Sequence, residues 1–289
     1  MTKVACIGEA MIEVAANGTQ ARLGVAGDTL NTAIYLKRAA PQVQVDYITR
    51  LGDDPFSDQI AEFISGEGIG TQQIARVPNG SPGLYAITTD DQGERTFTYW
   101  RSQSAARGLF GNDDFDALKG YDLIYLSGIS LAILPDETRW KLLDVLRDSP
   151  ALLAFDNNYR PRLWEDRQTA ARVIAAYWEA CDIPLPSVDD EMALFDETEE
   201  QVLARWGASH QRGALKMGAS GPVSIGCPID QTYPTVPTPV DTTAAGDSFC
   251  GGYLAARLSG QDQANALLAG HMLAAEVIQH PGAIIPKSD

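Results

Sequence analysis

The sequence predicts an α/β fold: a mostly parallel sheet with helices on both faces, plus a small β-sheet lid. Three observations carry this. Short apolar runs ending in Gly, Ser or Asp alternate with longer segments of helical spacing along most of the chain, which is the pattern of strand–helix units around a buried parallel sheet. Two segments of period two, 83–89 and 94–101, interrupt that alternation and have no place in it. Near the C-terminus a loop of small residues bracketed by two carboxylates, Asp241-Thr242-Thr243-Ala244-Ala245-Gly246-Asp247, opens a helix.

Taken in order, Val4-Ala5-Cys6-Ile7-Gly8 reads as a buried strand ending in a turn, and 11–14 as a second short strand. Gly27-Asp28-Thr29-Leu30-Asn31 opens a helix to Ala39, with Leu30, Ala33, Ile34 and Lys37 at helical spacing. Taken alone, Asp28 reads best as its N-cap; Asp28 and Asn31, three apart, share a face there. Residues 45–51 form a strand, and Gly52-Asp53-Asp54-Pro55 turns into a helix ending near Gly66. Gly66-Glu67-Gly68-Ile69-Gly70 lacks the sixth glycine and the preceding strand of a dinucleotide loop, so it reads as a helix end and turn. Asp90-Asp91-Gln92-Gly93 joins the two period-two segments into a hairpin, on which Tyr99 and Arg101 share a face. Cross-strand packing with a solvated Arg is the plain reading of that pair.

In the second half, 121–127, 152–155, 182–185, 214–216 and 222–225 read as strands, and 136–146 and 264–279 as helices. Polar residues just past the carboxyl ends of parallel strands are where open α/β sheets place ligands. Asp156-Asn157-Asn158-Tyr159-Arg160-Pro161-Arg162 is such a stretch, and its close basic pair in an acidic chain points to an anionic substrate. Ser187-Val188-Asp189-Asp190-Glu191 supplies consecutive carboxylates, either a metal-holding cluster or charged residues at a helix start. The side chains of Ala244, Ala245 and Gly246 are too short to keep an anion from the backbone N–H groups of the helix they open. Together with Asp247 they suggest an anion hole with a general base beside it.

The run Asp241–Asp247 resembles the signature D-T-x-G-A-G-D of the ribokinase-like (PfkB-type) carbohydrate kinases, with Ala244 where that family usually has Gly. Ala244 is expected to hold an ordinary right-handed conformation. Gly27, Asp28 and Asn31 match most of a first family signature, G-G-D-x-x-N, with Ala26 for its first Gly, and Lys216-Met217-Gly218-Ala219-Ser220-Gly221 resembles its K-x-G-x-x-G turn. The likeness covers essentially the whole chain as a single domain, 1–289, with lid strands inserted near 9–16 and 83–101. It lies nearest the branch acting on the sugar acid 2-keto-3-deoxygluconate, through Gly93–Arg101 and Asp156–Trp164 in particular.

The resemblance implies roles, residue by residue. Asp247 would be the catalytic base. Gly27, Asp28 and Asn31 would hold sugar hydroxyls, and Tyr85, Tyr99, Arg101 and Arg160 the keto and carboxylate end. Asn158, Lys216, Gly218, Gly221, Thr242, Ala244, Ala245, Gly246 and His271 would bind ATP, with His271 at the adenine. Where the family usually has N-x-x-E this chain has Ser187 and Asp190, so Asp190 would hold Mg2+ through water. A monovalent cation is left open. The implied activity is phosphorylation of 2-keto-3-deoxygluconate at its 6-hydroxyl; a fructokinase- or ribokinase-like activity, or a non-catalytic sugar-binding relative, are the alternatives. The lid doubles as an expected homo-oligomer contact.

Composition narrows the remaining classes. The chain of 289 residues carries 38 acidic and 22 basic side chains, a net charge of −16, which argues against nucleic acid as a partner. Cys6, Cys181, Cys227 and Cys250 show no C-x-x-C spacing, so reduced core thiols are expected. Glu9 and Glu13 interrupt the first hydrophobic stretch, no run approaches a membrane span, and there is no P-loop. A cytoplasmic protein with no membrane partner is expected.

Overall fold

A computed structural model describes residues 1–17, 19–89, 95–235 and 238–287. Its elements are β1 (Lys3–Ile7), β2 (Met11–Asn17), β3 (Gln20–Ala26), α1 (Asp28–Ala39), β4 (Gln44–Leu51), α2 (Pro55–Gly66), β5 (Ile74–Arg76), β6 (Gly83–Thr89), β7 (Arg95–Trp100), β8 (Leu123–Ser127), α3 (Gly128–Ile133), α4 (Asp136–Arg147), β9 (Leu152–Asp156), α5 (Arg167–Ala180), β10 (Ile183–Pro184), α6 (Val188–Phe195), α7 (Glu199–Gly207), β11 (Gly213–Leu215), β12 (Val223–Ile225), α8 (Ala245–Leu258) and α9 (Gln263–Val277). No helix among the described residues is long and apolar enough to cross a membrane.

Strands buried on both faces must send alternate apolar residues to opposite sides. β1 does so: Ala5 and Ile7 pack with apolar residues of α3, α4 and α5, while Val4 and Cys6 pack with those of α1, α2, α8 and α9. The sheet has the order β10-β9-β8-β1-β4-β5, with every pairing parallel. Chain order runs outward from β1 in one direction to β4 and β5, and in the other to β8, β9 and β10. The switch point therefore lies between β1 and β8, and a crevice opens at its carboxyl edge. β11 and β12 pair only with each other among the described strands, antiparallel, and join the parallel sheet through a single bridge between Ser187 and Lys216.

The expected hairpin is present as β6 and β7, paired antiparallel with Tyr85 opposite Tyr99; its turn, 90–93, lies outside the described residues. It belongs to a separate sheet of order β3-β2-β6-β7. β3 was not expected. Its first residues, Gln20 to Leu23, are exposed and carry no apolar alternation, so pairing with β2 makes it a strand, not its own pattern. In register, Glu13 faces Tyr85 across β2 and β6, so Glu13, Tyr85 and Tyr99 form a row across this sheet.

Candidate active site

A cavity of about 640 Å³ lies between the carboxyl edge of the parallel sheet and the second sheet. Its floor begins at α1. Gly27 precedes that helix with its backbone against the Glu9 carbonyl, where a Cβ would collide. Asp28 is the first helical residue, and it does not cap the helix as expected: Gly27 holds the N-cap position without a side-chain cap. The Asp28 carboxylate instead accepts from the Ser127 hydroxyl and from Asn158 Nδ2 at 3.0 Å. Two residues at the ends of β8 and β9 thus bind one carboxylate across the switch point. Burial pushes the Asp28 carboxyl up, and the Ser127 hydrogen bond opposes that.

The loop before α8 is built by Asp241. Its Oδ1 accepts from the Thr243 N–H at 3.0 Å and the Thr243 hydroxyl at 2.7 Å, an Asx turn, and its Oδ2 accepts from the Gly282 N–H at 2.6 Å. α8 begins at Ala245, within the loop itself, so Gly246 and Asp247 lie in its first turn, where N–H groups have no partner within the helix. The expected right-handed conformation of Ala244 is not what the structure holds. Ala244 has φ 61° and ψ 17°, the left-handed region that suits Gly. Its methyl packs against the cluster of Met11, Ala26, Tyr85, Ile87 and Ala283, which ties the loop to the second sheet. A left-handed Ala costs roughly 1–2 kcal/mol, and an added Gly loses about 0.4–1 kcal/mol through the unfolded chain. Ala244→Gly should therefore raise unfolding free energy by about 0.5–1 kcal/mol in denaturant melts; a lower midpoint would mean that the methyl's packing outweighs the strain.

Asp247 is held from α1. Asn31 Nδ2 donates to Asp247 Oδ2 at 2.8 Å, and the Thr32 hydroxyl donates to the Asp247 carbonyl at 3.1 Å. Burial, then the charges of Asp28 and Asp156, push the Asp247 carboxyl up to about 8, against the Asn31 hydrogen bond and the Lys216 charge. Such a carboxyl gains base character as pH rises through about 8, and a general base works best where its pKa lies near the operating pH.

The cations of this cavity are already paired. The buried Arg101 guanidinium forms an ion pair with the buried Glu9. Half-exposed Arg160 donates to Asp190 Oδ1 at 3.2 Å. Lys216 Nζ lies 2.5 Å from Asp156 Oδ2, and although burial alone would lower it, the Asp156 carboxylate holds it above the ordinary lysine range. The Tyr85 hydroxyl donates to Glu13, and its ring stacks on Tyr99 with centroids 5.6 Å apart; burial pushes the Tyr85 hydroxyl's pKa up. Arg162, the other member of the basic pair, does not line the cavity. In the cavity wall, five carboxylates (Asp28, Asp156, Asp189, Asp190, Asp247) face three cations, leaving it net acidic.

A second cavity, of about 460 Å³, is mainly apolar, with Met217, Pro222, Phe249, Ala274 and Ile278 in its wall. His271 is there, its Nε2 2.9 Å from the Pro234 carbonyl and its ring 5.0 Å from that of Tyr233. Gly221 also lines it. Lys216, Gly218, Thr242, Ala245 and Gly246 line both cavities, so the two meet at the 241–247 loop. Asn158 lies in the first cavity, with Asp28, and not in the second.

Sequence reading passed over Glu9, Glu13, Ser127 and Asp156 as site residues. Three of them left a signal: Asp156 heads the polar stretch at a strand's carboxyl end, and Glu9 and Glu13 are carboxylates in an otherwise apolar stretch, which burial tolerates only with partners. Ser127 left none; a serine at a strand end is ordinary.

The profile of the pfkB family carbohydrate kinases matches residues 1–289. The chain is similar to the 2-dehydro-3-deoxygluconokinase of Escherichia coli (strain K12), at 43% identity over 304 residues that cover 99% of this chain and 97% of that one. Among solved structures, the 2-dehydro-3-deoxygluconokinase of Thermotoga maritima superposes with a TM-score of 0.84 at 21% identity, covering 99% of this chain and 96% of that one. The fructokinase of Vibrio cholerae O395, solved with fructose, ADP and calcium ion bound, superposes with a TM-score of 0.82 at 20% identity, over 98% and 94% of the two chains.

Proposed function

This chain belongs to the pfkB family of carbohydrate kinases, and on that premise we propose that it is an ATP-dependent 2-dehydro-3-deoxygluconokinase, which transfers the γ-phosphoryl group to the 6-hydroxyl of 2-keto-3-deoxygluconate. The observation that carries the chemistry is the position of Asp247: a part-buried carboxylate in the first turn of α8, where the polar and the apolar cavity meet. In this reading the sugar acid occupies the first cavity and adenine the second, beside His271. The phosphates cross between them along Lys216, Gly218, Gly221, Thr242 and the loop Ala244-Ala245-Gly246, with Asn158 near their sugar end.

Asp247 takes the proton of the 6-hydroxyl as its oxygen attacks phosphorus. The backbone N–H groups at the start of α8 face the charge on the phosphoryl group in flight, where preorganised donors act most strongly. Lys216 adds a point charge once the phosphates compete with Asp156 for it. Gly27, Asp28 and Asn31 hold sugar hydroxyls, and Tyr85, Tyr99, Arg101 and Arg160 receive the keto and carboxylate end.

A net acidic cavity that must admit a carboxylate and a triphosphate needs cations, and the side chains fit a hydrated Mg2+. Among the described residues no cluster of His, Cys, Asp or Glu could cage a metal directly, whereas Asp190 stands at the cavity wall and would hold the ion through water. The ion would offset phosphate charge.

A second reading is a kinase of a neutral sugar, favoured by the pairing of Arg101 and Arg160 with acids of the protein. ADP release measured across 2-keto-3-deoxygluconate, fructose and ribose decides between the two: a higher kcat/KM on either neutral sugar overturns the sugar-acid reading.

The second sheet is proposed to act as a lid that closes over the sugar and excludes water, and as a contact between subunits. The exposed Leu23 and Trp100 on it fit such a contact. On saturation with substrate, amide exchange in β6 and β7 should slow; unchanged protection there counts against a lid.

A further inference from the structure

α1 and α8 approach each other so closely that Gly251 has no room for a side chain. A Cβ there would lie 2.7 Å from Tyr35 Cβ and 2.9 Å from both the Leu36 nitrogen and the Thr32 carbonyl oxygen. That approach is what lets two consecutive residues of α1 reach one residue of α8. Asn31, only 5% exposed, donates from Nδ2 to Asp247 Oδ2 at 2.8 Å, and Thr32 donates from its hydroxyl to the Asp247 carbonyl at 3.1 Å. The Asn31 amide is steadied from behind, with Oδ1 3.5 Å from the Gly27 N–H. Asp247 is therefore gripped at its backbone and at one carboxylate oxygen, Oδ2.

We propose that Asn31 is a positioning residue for Asp247: its amide, brought within reach by the α1–α8 contact at Gly251, orients the carboxylate and holds it in its proton-accepting form. This goes beyond a hydroxyl-binding role for Asn31 and rests on Asp247 as the base, but not on which sugar is phosphorylated. The groups around Asp247 make such help necessary. Asp28 from α1 and Asp156 from the end of β9 oppose its charge, Lys216 after β11 favours it, and the Tyr35, Tyr85 and Tyr125 hydroxyls and the Cys250 thiol complete the surroundings. With more negative than positive charge nearby, a neutral donor on Oδ2 supports the ionised form without adding a competing cation.

The test is the pH dependence of kcat and KM in Asn31→Ala. Loss of a donor to a part-buried carboxylate should move the acid limb of kcat/KM upward by roughly one to two pH units, from hydrogen-bond strengths to charged groups and the free energy of a pKa unit. Turnover at pH 7 should drop by about tenfold or more and largely recover in alkaline buffer, with KM for the sugar changed only a few-fold. An unmoved limb with a large rise in KM would make Asn31 a substrate ligand alone and overturn the proposal, as would an activity loss equal at every pH. Asn31→Ser, polar but too short to reach Asp247, gives the same readout if the Ala variant fails to melt cooperatively. If the wild-type enzyme prefers a different sugar, the substrate reading fails while the same profiles, run on that sugar, still decide the role of Asn31.

Discussion

Asp247→Asn should lose ~10²–10⁴ in kcat, the usual worth of general-base catalysis, or about 3–5 kcal/mol of transition-state stabilisation. The substitution is nearly isosteric, and the amide oxygen can still accept from Asn31 Nδ2, so the α1–α8 contact persists. The fold should be no less stable. A carboxyl raised to about 8 in the folded protein binds its proton more tightly there than in the unfolded chain. The stability this contributes is complete below the ordinary aspartate range and is lost as pH rises through about 8. The Asn variant has no such loss, so above neutral pH its melting temperature should equal or exceed that of the wild type. Near-normal turnover in a variant with that melting behaviour would remove Asp247 from the base role.

Arg101→Ala should lower kcat/KM for 2-keto-3-deoxygluconate by about 10- to 100-fold relative to any residual activity on fructose, since a hydrogen bond to a charged group is worth ~1.5–3 kcal/mol. The structure adds a complication, because Arg101 is the ion-pair partner of buried Glu9. Removing the guanidinium strands that carboxylate and destabilises the protein, as breaking a buried pair does. Taking the ratio of acid to neutral sugar cancels this loss, since both substrates meet the same folded enzyme. Arg101→Lys keeps the charge beside Glu9 but loses the fork that matches a carboxylate, so it should retain stability and still lose discrimination. Arg160 is half-exposed and paired with Asp190, so Arg160→Ala should have the smaller effect. An unchanged ratio in both Arg101 variants would show that the acid group is bound elsewhere.

Much of this protein was legible in its sequence because the signals are local. Apolar runs such as Val4–Ile7 and Leu153–Phe155 mark buried strands wherever they occur. The period-two segments mark a hairpin, and a loop of small residues before an Asp marks a backbone open to an anion, because side-chain bulk is a property of each residue. β3 escaped because its outer residues are solvated and only its pairing makes it a strand.

What tertiary structure alone decided depends on groups far apart in the chain. The left-handed backbone of Ala244 follows from a loop tied to Gly282 by Asp241 and packed against the second sheet, whereas steric preference for the isolated residue pointed the other way. Asp28 became a partner of Ser127 and Asn158, not a cap, because β8 and β9 end beside α1. Sequence marked Arg101, Arg160 and Lys216 as cations; only the fold set Glu9, Asp190 and Asp156 against them. The proton affinity of Asp247 is the clearest case. It is set by burial and by the charges around it, and the free energy of ionising a group is a sum over its surroundings, most of which its neighbours in the chain do not supply.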